Sequence, residues 1–352
     1  MANIMLTDVC NLHCPYCFAN EFVNKSDTEI TESAFQKAVD FILGDGSQHS
    51  VGLIGGEPTT HSKFSDLLSS LIKDKRVEAI ILYTNGVLLD QYMDLITHKK
   101  VHILVNCNAP EDIGEENYNR MCQNLDYLYL TKLFQDNMTL GINMYKPDFS
   151  YSYLMKLLLK YHQDHVRVSI TVPNMEDTRN HNAHDYFKTM KGRVIAFFDE
   201  LLSNGIVPHF DCNKIPHCQL SSGELEPFQK YMNQESLKSS IMRSNIYDSI
   251  VKCSPVVDIR QDLTAVRCFG LSEVTKQSIS DFKSITDLIN FYIRTIDAYA
   301  YNTAYSAQCV NCKHRKTLKC SGGCLAFKIN EILSVQEYAE KRLTELKGRN
   351  NT

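Results

Sequence analysis

Cys10-Asn-Leu-His-Cys14-Pro-Tyr-Cys17-Phe18 decides the fold, and this stretch directly follows the largely apolar run 1–9. Its three thiols have the spacing C-x3-C-x2-C within one short loop. A cubane iron–sulfur cluster has four irons and is normally held by four thiolates, so three cysteines leave one iron open to a small chelating substrate. Structural zinc usually takes two pairs of closely spaced ligands. The loop therefore predicts a reactive cluster rather than a zinc site.

The spacing resembles the defining loop of the radical S-adenosylmethionine (radical SAM) superfamily, which lies at the end of the first barrel strand. This resemblance implies that Cys10, Cys14 and Cys17 bind a 4Fe-4S cluster whose open iron chelates the amino and carboxylate groups of S-adenosylmethionine (SAM). It also implies reductive cleavage of SAM to a 5'-deoxyadenosyl radical, which abstracts hydrogen from a substrate C–H bond. Tyr16, directly before the last thiol, is expected to contact the cofactor.

The length and composition of the chain favour some classes of protein and disfavour others. The chain has 352 residues, enough for one large domain and a smaller one, and its 43% hydrophobic content is that of a globular protein. A formal net charge of −4 gives no electrostatic reason to expect nucleic acid. No signal peptide or membrane-length apolar run is present, which predicts a cytoplasmic protein without a membrane partner. Thirteen cysteines in a reducing compartment indicate metal binding or catalysis.

Strand and helix patterns alternate through the first two hundred residues. The predicted strands cover residues 1–7, 51–54, 79–83, 101–105, 138–144 and 166–172. The predicted helices cover residues 31–43, 64–72, 87–96, 118–134, 151–162 and 186–202. Such alternation predicts an α/β fold with a parallel sheet, here a partial (β/α)6 TIM-like barrel over residues 1–207, with its site at the carboxyl ends of the strands. A small α+β cysteine-rich domain is expected at 208–326, and a closing helix and tail at 327–352.

Gly55-Gly56-Glu57-Pro58 follows the second predicted strand. Glycines allow a ligand to approach the backbone closely, and a carboxylate at this place can hold an ammonium group. An isolated motif of this kind is otherwise a strand-ending turn. In radical SAM enzymes the motif holds the methionine amino group. The resemblance therefore implies that Gly55, Gly56 and Glu57 bind SAM, and it adds Glu57 to the three catalytic cysteines.

The ends of later strands supply further cofactor-binding candidates. Thr84-Asn85-Gly86 resembles the superfamily's Thr-Asn-Gly, which lies beside the cofactor, although Asn-Gly is also a common turn. Where the superfamily often has Ser-x-Asp-Gly, this chain has Asn106-Cys107-Asn108-Ala109. Amides make similar hydrogen bonds, so Asn106 is expected to contact the ribose or carboxylate of SAM. Asn143 is a candidate for the same groups and Val172 for packing against adenine, with a core role as the alternative for both.

Eight thiols in the C-terminal part match the ligand demand of two fully ligated four-iron clusters. They are Cys212, Cys218, Cys253, Cys268, Cys309, Cys312, Cys320 and Cys324. The ending Cys309-x2-Cys312-x7-Cys320-x3-Cys324 resembles the SPASM domain of radical SAM peptide and protein maturases, which implies two auxiliary 4Fe-4S clusters. That family usually has one more ligand downstream, and no cysteine follows Cys324 here. One ligand is therefore expected upstream, or one cluster keeps an open or non-cysteine site.

Two other metal arrangements remain. The last four cysteines could form a tetrahedral zinc site. Alternatively, a single auxiliary cluster could use Cys253, Cys268, Cys309 and Cys312, as in the shorter twitch variant. Cys107 is either a substrate-facing thiol that donates hydrogen or a buried structural residue, since free cysteine is often buried.

The resemblance implies a maturase that forms a crosslink, an oxidation or an epimerised centre on a ribosomally synthesised peptide, with a reductant such as flavodoxin or ferredoxin. The alternative is a radical SAM dehydrogenase or related enzyme acting on a small molecule, such as a sugar in natural-product biosynthesis. Sulfatase maturation is disfavoured, because Phe269 stands where those enzymes carry an Asp after the cysteine equivalent to Cys268. Residues 1–9 leave no room for a separate N-terminal peptide-recognition domain, so a leader peptide is expected to dock elsewhere.

Overall fold

The structure is a computed structural model, and it describes residues 2–17, 19, 22–131, 137–171, 183–210, 215, 217–243, 253–271, 276–298 and 307–325. Val172, Cys212 and the closing helix predicted within 327–352 lie outside these residues. Within the described ranges, no helix combines the length and the apolar character needed to cross a membrane.

A ten-stranded sheet with the order β10-β9-β8-β1-β2-β3-β4-β5-β6-β7 forms the centre of the fold. The strands are β1 (Ala2–Met5), β2 (Ser50–Ile54), β3 (Ala79–Thr84), β4 (Val101–Asn106), β5 (Met138–Met144), β6 (His165–Ile170), β7 (Val207–Phe210), β8 (Val257–Ile259), β9 (Thr264–Val266) and β10 (Gln277–Ser278). From β1 to β7, each strand pairs in parallel with the next. The predicted α/β fold with a parallel sheet is confirmed, and β7 is a seventh parallel strand that the sequence pattern did not reveal.

Helices connect the parallel strands and cover their apolar side chains. The α-helices are Glu32–Leu43, Phe64–Lys73, Met93–Ile96, Pro110–Ile113, Glu115–Leu130, Ser152–Lys160, Ala183–Ser203, Ser222–Met232, Glu235–Arg243, Ile285–Tyr292, Ala307–Val310 and Lys313–Lys316. The first of them begins where Thr31 accepts a hydrogen bond from the Ala34 N–H. Phe35, Val39 and Ile42, spaced four and three residues apart, are buried on its inner face.

The helix predicted over 87–96 is instead a 3-10 turn followed by a single α-helical turn. Asn124 provides the physical reason. Its side-chain amide donates to the carbonyl oxygens of Gly86 and Val87 at 2.9 and 3.1 Å. These carbonyls are therefore committed to Asn124 rather than to a helical turn.

The C-terminal strands extend the same sheet. β8 pairs in parallel with β1, on the edge opposite β2, and β9 runs antiparallel between β8 and β10. Two buried hydrogen bonds reinforce the junction: Asn3 Nδ2 donates to Asp258 Oδ1 at 2.6 Å, and Gln261 Nε2 donates to Asp8 Oδ1 at 2.9 Å. The cysteine-rich segment is therefore anchored to the strand that leads into the first cysteine loop.

Candidate functional site

The loop after β1 holds the first three cysteines at the carboxyl edge of the parallel strands. Cys10, Cys14 and Cys17 are each partly buried. The Cys10 N–H donates to Asn24 Oδ1 at 2.7 Å, and the Cys17 N–H donates to the carbonyl oxygen of Cys14 at 3.1 Å. Asn24 has a backbone φ of +57°, a conformation that Asn adopts more readily than most residues. These bonds fold the loop so that its three thiols share one region.

The thiols are electrostatically coupled to each other and to Glu57. Burial raises the pKa of Cys10 to about 12, and the charges of Glu57, Cys14 and Cys17 act in the same direction. Burial likewise raises the pKa of Cys14 to about 12, again with a contribution from Cys17. Thiolates crowded beside a carboxylate need a cationic partner, which the irons of a cluster supply. The donor set therefore fits an iron–sulfur cluster.

The positions of the possible ligand side chains also bear on whether the protein holds a zinc ion. Among the residues that the structure describes, no three side chains of His, Cys, Asp or Glu converge on a single metal position. In a four-iron cluster each thiolate binds a different iron, so the sulfurs surround the cluster instead of meeting at one point.

The Gly-Gly-Glu turn after β2 packs directly against the cysteine loop. The Gly56 N–H donates to the Thr7 carbonyl oxygen at 2.7 Å, and the Glu57 N–H donates to the Val9 carbonyl oxygen at 2.9 Å. A Cβ at Gly55 would lie 2.5 Å from the Thr7 oxygen, and a Cβ at Gly56 would collide with the Val9 carbonyl. Gly55 also has a φ of +143°. The space that the two glycines leave at Cβ is thus filled by the backbone of the cysteine loop.

Glu57 places a buried carboxylate between the ends of β2 and β3. Its side chain accepts bonds from the Thr59 N–H and hydroxyl at 3.2 and 2.6 Å, the Thr84 hydroxyl at 2.8 Å and the Asn85 N–H at 2.7 Å. Burial raises the pKa of Glu57, and these hydrogen bonds oppose the shift. No Lys, Arg or His of the described ranges lies in ion-pair distance of it. The carboxylate is held by dipoles alone, which leaves its charge for a cationic ligand.

Asn85, whose sequence context is equally that of a simple turn, also links the Gly-Gly-Glu region to the cysteine loop. Its Nδ2 donates to Asn11 Oδ1 at 2.7 Å, between the ends of β3 and β1. Thr84 Oγ1 in turn accepts the N–H of Gly86 at 3.1 Å. The Thr-Asn-Gly segment therefore positions both Glu57 and the loop of the three cysteines.

Arg167 joins two of the predicted cofactor contacts across the later strands. Its Nη1 donates to Asn106 Oδ1 at 3.1 Å and to Asn143 Oδ1 at 2.7 Å, connecting β4, β5 and β6. The structure thus brings Asn106 and Asn143 together, and their contact with the cofactor stays a prediction. Arg167 itself was missed, although the sequence carries a signal: it is a lone cation within the apolar run 166–170.

Tyr16 lies at the entrance to a small cavity next to these amides. Its hydroxyl donates to Asn108 Oδ1, and its ring lies 5.0 Å from the Tyr145 ring, centroid to centroid. Tyr16, Asn143 and Asp112 line a cavity of about 10 Å³, which has room for about one water molecule. Cys107 also lines it, but this side chain is only 2% exposed, which favours the buried structural role.

The C-terminal cysteines fall into two neighbourhoods. Partial desolvation, followed by the charges of Cys309, Cys320 and Cys312, raises the pKa of Cys218 to about 11, so Cys218 lies within electrostatic reach of the other three thiols. Cys253 and Cys268 form the second neighbourhood around the guanidinium of Arg267, which donates to Cys268 Sγ. Cys324 is buried, with 9% of its surface exposed.

The radical SAM superfamily model matches residues 4–145, which contain the cysteine loop, the Gly-Gly-Glu turn and Asn143. These residues form a radical SAM domain. A radical SAM domain implies a SAM cofactor and a 4Fe-4S cluster, and proteins that carry this domain are enzymes.

Proteins similar to this chain are known in sequence and in structure. The GTP 3',8-cyclase of Clostridium perfringens (strain 13 / Type A) is 28% identical over 161 residues, which cover 44% of this chain and 49% of that protein. The chain thus spans about half the length of this relative. Streptococcus suis SuiB bound to precursor peptide SuiA has a TM-score of 0.59 at 16% identity, covering 94% of this chain and 72% of SuiB. Native anSMEcpe with bound AdoMet has a TM-score of 0.61 at 16% identity, covering 99% of both chains. At these identities the solved structures show a shared fold.

Proposed function

We propose that the chain is a radical SAM enzyme that modifies a ribosomally synthesised peptide by crosslinking, oxidation or epimerisation. One observation carries the proposal: the loop of Cys10, Cys14 and Cys17 lies against the buried carboxylate of Glu57. Three thiols leave a fourth ligand position open, and Glu57 offers an unpaired negative charge beside it. This combination suits a ligand that carries an ammonium group next to a chelating carboxylate, which is the methionine end of SAM.

The chain's own residues bind and orient the cofactor. When bound, SAM and the cluster supply a 5'-deoxyadenosyl radical after an electron arrives from a reductant such as flavodoxin or ferredoxin. Glu57 binds the ammonium group, and Thr59 and Thr84 keep its carboxylate from rotating. Asn106 and Asn143 have their oxygens engaged by Arg167, so their amide N–H groups are directed to the ribose or the carboxylate of SAM.

Tyr16 closes the same region on the side of Tyr145. It is partly buried and donates to the buried Asn108 side chain, and we propose that it shields the cofactor site from water. We propose that Gly55 and Gly56 act by bringing the backbone of Glu57 against the cysteine loop, and that Val172 packs against adenine.

The peptide assignment rests on the C-terminal cysteines and on the fold shared with SuiB, whose solved complex contains the precursor peptide SuiA. We propose a radical SAM barrel at 1–207, a SPASM-like domain with two auxiliary 4Fe-4S clusters at 208–326, and a helix and tail at 327–352. Cys218 would take the place of the missing downstream ligand and complete a set with Cys309, Cys312 and Cys320. The other set would be Cys212, Cys253, Cys268 and Cys324. The use of thirteen cysteines for metal and structure suits a reducing, cytoplasmic setting.

A second candidate function is a reaction on a small molecule, such as dehydrogenation of a sugar. The observation that favours it is the 28% identity to GTP 3',8-cyclase, whose name describes a nucleotide-modifying enzyme. The genes beside this one discriminate between the two candidates. A short open reading frame predicts a peptide substrate, and sugar-modifying neighbours predict a small molecule.

Anaerobic reconstitution with iron and sulfide tests the cofactors. Three four-iron clusters predict about twelve irons per chain, a single auxiliary cluster about eight, and none about four. With SAM and dithionite, the wild type should form 5'-deoxyadenosine. Cys14→Ala should lose about four irons and all of this product, because one thiolate of the incomplete set is gone.

Cys122→Ala is the matched control, since Cys122 lies on the helix Glu115–Leu130 and belongs to none of the proposed ligand sets. It should keep its iron and its activity. Full-rate SAM cleavage by Cys14→Ala would overturn the central assignment. For the substrate, the peptide encoded beside the gene should change in mass on incubation with the wild type and stay unchanged with Cys14→Ala; an unchanged peptide with an active wild type would exclude it.

A further inference from the structure

Arg267 is a fully buried cation beside two of the C-terminal cysteines. It directly follows β9, and its side chain has 1% of its surface exposed. Asp297, at the end of the π-helical turn Ile293–Asp297 and 4% exposed, binds it through two contacts. Arg267 Nε lies 2.6 Å from Asp297 Oδ1, and Nη2 lies 3.0 Å from Oδ2. This bidentate pair fixes the guanidinium plane.

The third guanidinium nitrogen faces sulfur. Nη1 donates to Cys268 Sγ at 3.8 Å. Because Nε and Nη2 engage the carboxylate, Nη1 is the nitrogen farthest from the negative charge of Asp297. The pair therefore presents its positive end to Cys268 and its negative end to the helix.

Other groups around this sulfur define its local charge. The Cys253 thiol interacts electrostatically with both Arg267 and Cys268. Asp258, 1% exposed on the neighbouring strand β8, also acts on Cys268. The Asp258 carboxylate accepts a bond from Asn3 Nδ2 at 2.6 Å, so part of its charge is already satisfied on the side of β1.

A buried ion pair is a costly way to hold two segments together, since packed apolar residues of similar volume often stabilise a protein as well or better. Its position against a sulfur therefore points to a second task. Reduction potentials of iron–sulfur clusters depend on net charge, hydrogen bonds to sulfur and solvent exposure. Arg267 supplies a positive charge and a hydrogen bond to sulfur, and its burial indicates that solvent exposure at this site is low.

We propose that Arg267 is a positioning residue for an auxiliary cluster bound by Cys253 and Cys268, and that its guanidinium stabilises the reduced form of that cluster. The inference rests on the auxiliary clusters of the proposed function. On reduction the cluster gains one electron and hence one negative charge; no bond forms or breaks and no proton moves. The N–H of Arg267 strengthens its contact with Cys268 as this charge accumulates, so the arginine raises the reduction potential.

The test is an EPR-monitored redox titration with dithionite. The background is a Cys10→Ala/Cys14→Ala/Cys17→Ala chain, in which only auxiliary iron remains, about eight atoms for two clusters. In this background, Arg267→Gln/Asp297→Asn removes both charges of the pair without leaving either one buried alone. We expect unchanged iron and a reduction constant for one cluster that is about tenfold smaller, a fall of 59 mV for one electron.

Arg267→Lys keeps the charge and loses the planar fork, so it should give a smaller shift in the same direction. Arg120→Gln is the matched control, because Arg120 forms an exposed ion pair with Asp90 on an outer helix. It should leave every potential unchanged.

The possible outcomes distinguish a failure of the role proposed for Arg267 from a failure of the auxiliary clusters themselves. Full iron with unshifted potentials in both Arg267 variants overturns the inference, and a lower melting temperature with unshifted potentials assigns Arg267 a purely structural role. If the double variant fails to hold iron, Arg267→Lys decides: a lowered potential supports the inference and an unchanged one overturns it. A wild-type chain that binds only about four irons refutes the auxiliary clusters themselves.

Discussion

The Glu57 carboxylate accepts a hydrogen bond from the Thr84 hydroxyl over 2.8 Å, and this contact joins the ends of β2 and β3. The acceptor is buried and the donor is 2% exposed, so the bond is protected from water. Together with the bonds from Thr59 and Asn85, it restricts rotation of the carboxylate. In the proposed function, this fixed carboxylate is an anionic subsite that needs no rearrangement when the ligand binds.

Glu57→Gln should weaken SAM binding about 10- to 100-fold, because a hydrogen bond to a charged group contributes about 1.5–3 kcal/mol. Burial raises the pKa of Glu57, and only the ionised form pairs with ammonium. Wild-type affinity should therefore fall as the pH drops toward that raised pKa, and the Gln variant should lose this dependence. Anaerobic calorimetry across pH measures both effects.

Glu78→Gln is the control for this experiment, since Glu78 is exposed at the opposite end of β3. It should bind SAM like the wild type at every pH. Equal affinities of Glu57→Gln and the wild type would refute the ammonium role.

Gly56→Ala should destabilise the fold by about 1–3 kcal/mol, because its Cβ would overlap the Val9 carbonyl and push the cysteine loop away. The variant should also reconstitute with about four fewer irons. Gly192→Ala is the matched control: Gly192 is exposed in the helix Ala183–Ser203, and nothing lies within 4 Å of the position that an added methyl group would take. That change should stabilise the protein by up to about 1 kcal/mol. Thermal unfolding and iron analysis compare the two, and normal iron in Gly56→Ala would contradict the close-packing argument.

Cys218→Ser should lose a whole auxiliary cluster, about four irons, if its thiol completes the set of Cys309, Cys312 and Cys320. Serine keeps the size of the side chain but is a poor iron ligand. Cys107→Ser, at a buried thiol outside every proposed ligand set, serves as the control and should keep all its iron. An unchanged iron count in Cys218→Ser would show that one cluster has an open or non-cysteine position instead.

The sequence predicted the elements of the barrel because its strands are short buried runs and its helices have a clear apolar face. Phe35, Val39 and Ile42 are an example, since their spacing alone identifies the buried face of the first helix. The local sequence pattern wrongly predicted a continuous helix over residues 87–96, where a side chain distant in sequence changes the hydrogen bonding. Asn124 captures the carbonyls of Gly86 and Val87 from another helix, and no window of sequence around residue 87 contains that information.

In the candidate site, too, sequence motifs predicted some residues, and others come together only in the folded chain. Motif spacing predicted Cys10, Cys14, Cys17 and Glu57 as site residues, and the structure places them after the consecutive strands β1 and β2. Arg167 was missed because its role depends on two amides contributed by β4 and β5. The pairing of Cys218 with cysteines almost a hundred residues downstream is likewise a property of the folded chain, since spacing alone allows many ligand sets.

Glu224 makes the stability of the segment after Cys218 dependent on pH. A hydrogen bond from Lys191, then that from the Ser221 backbone, lowers the pKa of Glu224 to about 2. Ser221 and Glu224 form a capping box at the helix Ser222–Met232. A lowered folded-state pKa stabilises the protein above the unfolded pKa, and this contribution is lost as pH falls through the folded value.

Glu224→Gln should therefore lower the free energy of unfolding by about 1 kcal/mol at pH 7, with the difference vanishing near pH 2. Glu226→Gln, two residues along the same helix and exposed, should show no such pattern. Melting temperatures measured across pH give the comparison. A constant difference between Glu224→Gln and the wild type at all pH values would contradict the assignment.

The parallel pairing of β1 with β8 sets an order for biosynthesis. β1 leaves the ribosome about 250 residues before β8, and one of its two hydrogen-bonding edges stays open until residues 257–259 have been made. Such long-range pairing closes slowly, and an open apolar strand is a site for aggregation. A fragment that stops before β8 would therefore leave the strand that leads into the loop of Cys10, Cys14 and Cys17 unpaired on one edge, so this part of the newly made chain depends on residues 257–259 for protection.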